Sequence, residues 1–212
     1  MTEHSTNTLM SAKLSRSDRR EKRDNLRKRL GLCVPPLFAS AHVRDFSPVF
    51  QVKLLAAISL EAVADGLFLW GTPGVGKTHA MAAVARYIIV RGGKCRRITY
   101  EMLALQIRDT FKANSTKTEL DVIQPLLEYP FLFIEDVGTT VSGDSQESDF
   151  SLRTLLILLD HRLEQRQPTF LTSNKSVEGL RKTFDARIAS RLQCCTVIQM
   201  AGADKRQHNE TK

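Results

Sequence analysis

The sequence predicts an α/β fold in which five short strands alternate with helices and form a parallel sheet covered on both faces. Three observations predict it. The segments "LFLW" (67–70), "CRRITY" (95–100), "FLFIE" (131–135), "TFLTSN" (169–174) and "CTVIQM" (195–200) are short, mostly apolar and bounded by turn residues. The stretches between them place apolar residues at helical spacing. The first strand also breaks into "GTPGVGKT" (71–78), a glycine-rich turn that opens a helix.

The chain has 212 residues, enough for one domain with a sizeable core and a short extension. Residues 1–12 read as disordered, and residues 13–30 as a highly charged helix ended by Gly31. Residues 1–30 hold nine Lys and Arg against four acids, which is +5 of the total net charge of +8. Such an arm suits an acidic partner, either nucleic acid or an acidic protein surface, and it equally suits a solvated helix. Ser47 and Pro48 start a second helix running to about residue 64. Helices are expected over 78–90, 101–113, 119–128 (with Pro125 inside), 151–165 and 185–193. The segment "TTVSGDSQESD" (139–149) reads as a flexible loop, and residues 201–212 as a loose polar tail. The expected organisation is an arm at 1–30, an α/β domain at 31–200 and a tail at 201–212.

Cys33, Cys95, Cys194 and Cys195 show no metal-ligand spacing and read as small buried hydrophobes. Unpatterned cysteines fit a reducing cytosol, so a cytoplasmic location is expected. No apolar run approaches the ~20 residues of a membrane helix.

Three motifs carry chemistry. In the first, Gly71, Thr72, Pro73, Gly74, Val75, Gly76, Lys77 and Thr78 match the phosphate-binding loop. Its backbone N–H groups and the following helix N-terminus bind phosphate oxygens. Lys77 reaches the β- and γ-phosphates of ATP, and the Thr78 hydroxyl binds Mg²⁺. In the second, "FLFIEDVG", a strand delivers Glu135 to the Mg²⁺ shell and Asp136 to the attacking water. The spacing leaves room for "CRRITY" between the two motif strands, as in ATPases with an additional strand. The third is "TFLTSN", whose Asn174 either contacts the γ-phosphate or the water, or serves as a turn or helix-cap residue.

"FLWGTPGVGKTHAMAAVA", "FLFIEDVG", "HRLEQRQPTFLTSN" and "RIASRL", in that order, resemble AAA+ ATPases of the DnaC/IstB type, which are helicase loaders and transposon ATPase subunits. The segment "LGLCVPPLFASAHVRDF" resembles that family's entry segment, and the likeness covers about residues 30–200. It implies a P-loop NTPase of AAA+ type that uses ATP and Mg²⁺. Arg191, with Arg187 one turn earlier, would act in trans as an arginine finger, which implies ATP-dependent self-association or docking beside another ATPase. Arg108, Lys112 and Lys117 would contact single-stranded DNA. The basic arm would grip a DnaB-type replicative helicase, with hydrolysis as the release switch.

Two departures from the family pattern stand out. The acidic pair is Glu135-Asp136 rather than Asp-Asp or Asp-Glu, which implies slow turnover. The chain also stops soon after "CTVIQM", without room for a full lid domain or its sensor arginine. An IstB-type transposition helper uses the same core and is the alternative. A small-molecule kinase would need a lid and an acceptor pocket, and the sequence supplies neither. The remaining alternative is a DNA-binding module that does not hydrolyse ATP.

Overall fold

The computed structural model describes residues 15–58, 66–138 and 149–205. The expected disorder at 1–12, the loop at 139–148 and the far tail at 206–212 lie outside the described residues. Helix α1 spans Arg16–Cys33, α2 Pro48–Ala56, α3 Lys77–Val90, α4 Tyr100–Thr110 and α5 Glu119–Leu127. Helix α6 spans Asp149–Glu164, α7 Val177–Thr183 and α8 Ala186–Leu192. The strands are β1 Gly66–Trp70, β2 Cys95–Thr99, β3 Phe131–Glu135, β4 Thr169–Ser173 and β5 Thr196–Gln199.

All five strands pair in parallel, in the order β2-β3-β4-β1-β5. This corrects one expectation. The strand between the two motif strands is β4, and β2 ("CRRIT") lies at the sheet edge beyond β3. Burial explains the order. β4 is buried along its whole length, as a central strand must be, whereas Arg96, Arg97 and Thr99 leave β2 half-buried. Alternate residues of β1 then feed two cores. Leu67 and Leu69 pack with α3 residues, and Phe68 packs with Leu103, Leu155 and Leu159 from α4 and α6.

Helix α1 opens with a reciprocal cap. Ser15 Oγ accepts from the Asp18 N–H, and the Asp18 carboxylate accepts from the Ser15 N–H, both at 3.1 Å. The helix does not stop at Gly31. It runs on to Cys33, and the Val34 N–H reaches the Leu30 carbonyl at 2.7 Å. Glycine costs a helix about 1 kcal/mol, but Cys33 and Val34 are buried and Leu26 and Leu30 pack on the same cluster. That burial outweighs the glycine, so α1 docks on α3 and β2.

Helix α2 ends at Ala56 rather than near residue 64, and residues 59–65 lie outside the described ones. Helix α4 stops at Thr110, short of residue 113. The threonine's Oγ1 donates to the Ile107 carbonyl at 2.7 Å, and the chain then turns. Pro125 sits inside α5, as expected. Cys33 and Cys95 are buried, but Cys194 is exposed and Cys195 half-exposed, so the reading of all four as core residues holds only for the first two. Among the described residues no helix is long and apolar enough to cross a membrane.

The sheet end remote from the phosphate loop is held by Arg162, which is fully buried. Its guanidinium donates to the carbonyls of Leu126, Tyr129, Pro130 and Pro168, to Thr169 Oγ1 and to Gln167 Oε1, at 2.8–3.2 Å. Burial pulls its pKa down to about 10, so it stays charged at neutral pH. Carbonyl dipoles on all sides replace water around the cation. Arg162→Ala should therefore cost about 3–5 kcal/mol, because it leaves several buried carbonyls without a donor. Urea unfolding measures this, and a loss below about 1 kcal/mol would contradict the account.

Candidate nucleotide-binding site

The site is assembled where β1, β4 and β3 end side by side. After β1 the chain turns through Gly74 (φ +80°) and Gly76 (φ +99°) into α3. These are left-handed conformations that side chains disfavour. Gly74 has a second constraint, since a Cβ there would lie 1.8 Å from Asp204 Oδ1. Residues 201–205 thus lie against the loop instead of hanging loose, and the Lys205 N–H donates to the Gly74 carbonyl at 3.1 Å.

Lys77 is only 6% exposed. Its ammonium donates to the Gly71 carbonyl at 2.8 Å, the Thr72 carbonyl at 3.0 Å and Asn174 Oδ1 at 2.7 Å. The first and third motifs, 97 residues apart in sequence, therefore meet directly. This removes the helix-cap reading of Asn174. The helix cap is Ser176, whose Oγ accepts from the Gly179 N–H at 3.0 Å, and Asn174 faces the lysine instead.

β3 brings the acidic pair to the same end, but the two carboxylates fare differently. Glu135 is 1% exposed and paired with Arg97 of the neighbouring strand, Nε to Oε1 at 2.6 Å. Its Oε2 is buried without a hydrogen-bond partner among the described residues. Asp136 is exposed and sits in a left-handed turn (φ 60°). That turn is pinned by its N–H to Thr172 Oγ1 at 2.9 Å and by the Val137 N–H to the Thr172 carbonyl at 2.8 Å.

A cavity of about 560 Å³ runs along this surface. Gly74, Gly76, Lys77, Thr78, Asp136 and Lys205 line it, together with Leu37, Phe38, Phe46, Asp45 and His79. The His79 ring is fixed there by edge contacts to Phe38 and Phe46 and by Asp45 Oδ2, 3.0 Å from its Nε2. The His42 N–H and His79 hold the Asp45 carboxyl below the usual carboxylate range. The lining thus combines the loop's lysine and N–H groups with aromatic and apolar side chains, as a nucleotide's phosphates and base require.

The residues fit Mg²⁺ as well. A buried carboxylate oxygen without a donor is costly, and a hydrated cation or its water would satisfy Glu135 Oε2. With the Thr78 hydroxyl this makes the oxygen donor set Mg²⁺ prefers.

The remaining expected residues lie elsewhere. Arg191 and Arg187 on α8 do not line the cavity. Arg191 forms a fork on Asp160, and Arg187 pairs with Asp185. Arg108, Lys112 and Lys117 are exposed around the end of α4, and Lys112 pairs with Asp109. Arg97, Lys205, His79, Asp45 and Asp160 were missed from sequence. Only Arg97 carried a signal, a charge inside an otherwise strand-like segment.

The family model for IstB-like ATP binding proteins matches residues 8–212. The chain is similar to the replicative helicase loader DnaC of Escherichia coli K12, with 27% identity over 123 residues, covering 58% of this chain and 48% of that one. It is also similar to the helicase loader DnaI of Bacillus subtilis, with 25% identity over 143 residues, covering 68% of this chain and 41% of that one. The chain thus spans about half the length of the curated relatives it matches. A crystal structure of DnaI superposes with a TM-score of 0.65 at 20% identity, covering 84% of this chain and all of that one. The DnaC helicase loader gives 0.64 at 16%, covering 79% of this chain and all of that one. The match over residues 8–212 makes the chain a member of the IstB-like ATP-binding protein family.

Proposed function

We propose that this chain is an ATP-dependent helicase loader, in which ATP favours a state that holds single-stranded DNA and a DnaB-type helicase, and hydrolysis releases them. The observation that carries the ATPase part is the contact of Lys77 with Asn174, together with the cavity that Lys77, Thr78 and Asp136 line. Phosphate oxygens would replace the carbonyls of Gly71 and Thr72 as acceptors for Lys77. Asn174, released from the lysine, would hold the attacking water with its amide. Asp136, exposed on a pinned turn, would take the water's proton. Thr78 and Glu135 would hold the Mg²⁺ shell, and the bound ion would supply charge neutralisation at the β- and γ-oxygens. Phe38 and Phe46 would flank the base.

The Glu-Asp order leaves the shorter side chain at the base position, which favours slow turnover. Arg191 would complete the site of a neighbouring copy, with Arg187 beside it, because neither reaches the cavity of its own chain. For single-stranded DNA, Arg108, Lys112 and Lys117 would supply charge. Phe111 and Phe150, exposed and 4.8 Å apart, would add stacking faces beside them. Residues 1–30 would engage the helicase. α1 contributes an exposed basic face, while Leu26, Leu30 and Cys33 hold it to the core. The match to the IstB-like model favours a second reading, a transposition helper that acts with a transposase. Capture assays against a DnaB-type helicase and against a transposase, each with ATP, separate the two.

Lys77→Ala should weaken ATP binding by roughly 10–100-fold, the worth of a charge-assisted contact to phosphate. Fluorescent-nucleotide titration measures this, and unchanged affinity would remove the phosphate-loop assignment. Asp136→Asn should keep ATP binding and lower turnover by about 10²–10⁴-fold. Arg191→Ala should also block turnover, yet mixing the two variants should restore part of it. In a mixed oligomer some sites combine an intact Asp136 with a neighbour's intact Arg191. Lack of recovery on mixing would argue against action in trans.

A further inference from the structure

Both arginines of α8 are occupied inside the free chain, but by carboxylates with different duties. Asp185 caps α8, since its Oδ1 accepts from the Arg187 N–H at 2.6 Å, and its pairing with the Arg187 side chain adds to that task. Asp160 caps nothing. It lies near the end of α6, 31 residues before Arg191, with its side chain 42% exposed. Its carboxylate takes Arg191 as a fork, Nε to Oδ1 at 2.6 Å and Nη2 to Oδ2 at 3.1 Å. The third guanidinium nitrogen, Nη1, donates to the Arg187 carbonyl at 3.2 Å.

We propose that Asp160 is a positioning residue that latches the Arg191 guanidinium in the free chain and hands it over when α8 docks on the nucleotide of a second copy. This rests on the reading of Arg191 as an arginine finger acting in trans. A carboxylate and a phosphate offer the guanidinium fork the same pair of acceptor oxygens. The two therefore compete for one donor face. A partly exposed pair is weak and screened by solvent, so it yields to a multiply charged phosphate in a water-poor cleft. In the free chain the latch keeps the arginine in a single conformation and its charge neutralised. It also raises the concentration at which copies dock.

The test follows ATP turnover against protein concentration for the full chain, its Asp160→Asn and Asp160→Glu variants, and each in an Arg191→Ala background. Asp160→Asn should reach half-maximal turnover at a concentration roughly 2- to 5-fold lower than the wild-type chain, the range a surface ion pair allows. Asp160→Glu, which keeps the carboxylate, should stay near the wild-type value. In the Arg191→Ala background Asp160→Asn should change nothing, because the donor is gone. Fluorescent-nucleotide affinity reports folding of every variant. An unchanged or higher half-maximal concentration in Asp160→Asn overturns the latch, and so does a shift that persists without Arg191. Turnover independent of concentration in the wild-type chain, or insensitive to Arg191→Ala, instead removes the trans-finger reading beneath it.

Discussion

The ladder β1–β4–β3 fixes the whole site. In a parallel sheet neighbouring strands lie just under 5 Å apart, and their C-terminal ends open on the same side. Threading β4 between the two motif strands therefore sets where Lys77, Asn174 and Glu135-Asp136 can meet. β4 also supplies the groups that shape the neighbouring turn. Thr172 takes the N–H groups of Asp136 and Val137, and Ser173 Oγ donates to the Val137 carbonyl at 2.6 Å. At the opposite end Arg162 gathers the carbonyls that lead into β3 and β4. The strand that leads into Asn174 is thus tied to β3 at both ends, and the turn bearing Asp136 inherits that rigidity.

Much of this was legible in the sequence, for definable reasons. The five strands stood out because buried parallel strands are short continuous apolar runs between polar turns. The phosphate loop stood out because its glycines are demanded by backbone geometry. What the sequence did not reveal are relations between distant segments. "CRRIT" has the alternation of a strand, but only its half-buried charges betray an edge position, and edge order is decided by what the other strands bury. Gly31 looked like a helix end because local propensity says so, and the burial of Cys33 and Val34 overrode it. Asn174 was ambiguous because capping and ligand contact demand the same residue type. Two positions later Ser176 takes the cap, which removes that alternative. Arg97, Arg162 and Asp160 gave little or no local signal of function, since their partners lie 38, 33 and 31 residues away or more in the cases of Glu135, the Tyr129 carbonyl and Arg191.

The cations share one property that bears on how the protein works. Lys77, Arg97, Arg162, Arg187 and Arg191 each hold specific acceptors in the free chain. A buried or half-buried cation left without acceptors would be strongly penalised, so all but the exposed Arg187 need an internal partner whenever an external one is absent. The nature of that partner separates structure from switch. Arg162 is ringed by backbone carbonyls that cannot move without dismantling the sheet, and it is fixed. Lys77 rests on two loop carbonyls and one amide side chain, acceptors weaker than phosphate, so exchange on nucleotide binding is downhill. Arg191 rests on one partly exposed carboxylate and the Arg187 carbonyl, the easiest of the three settings to displace. Ranked this way, the contacts loosen from the buried sheet end, through the phosphate loop, to the outer helix that would meet a second copy. On the proposed reading, nucleotide binding and assembly would each replace weak internal acceptors with stronger external ones, while the sheet that positions both stays unchanged.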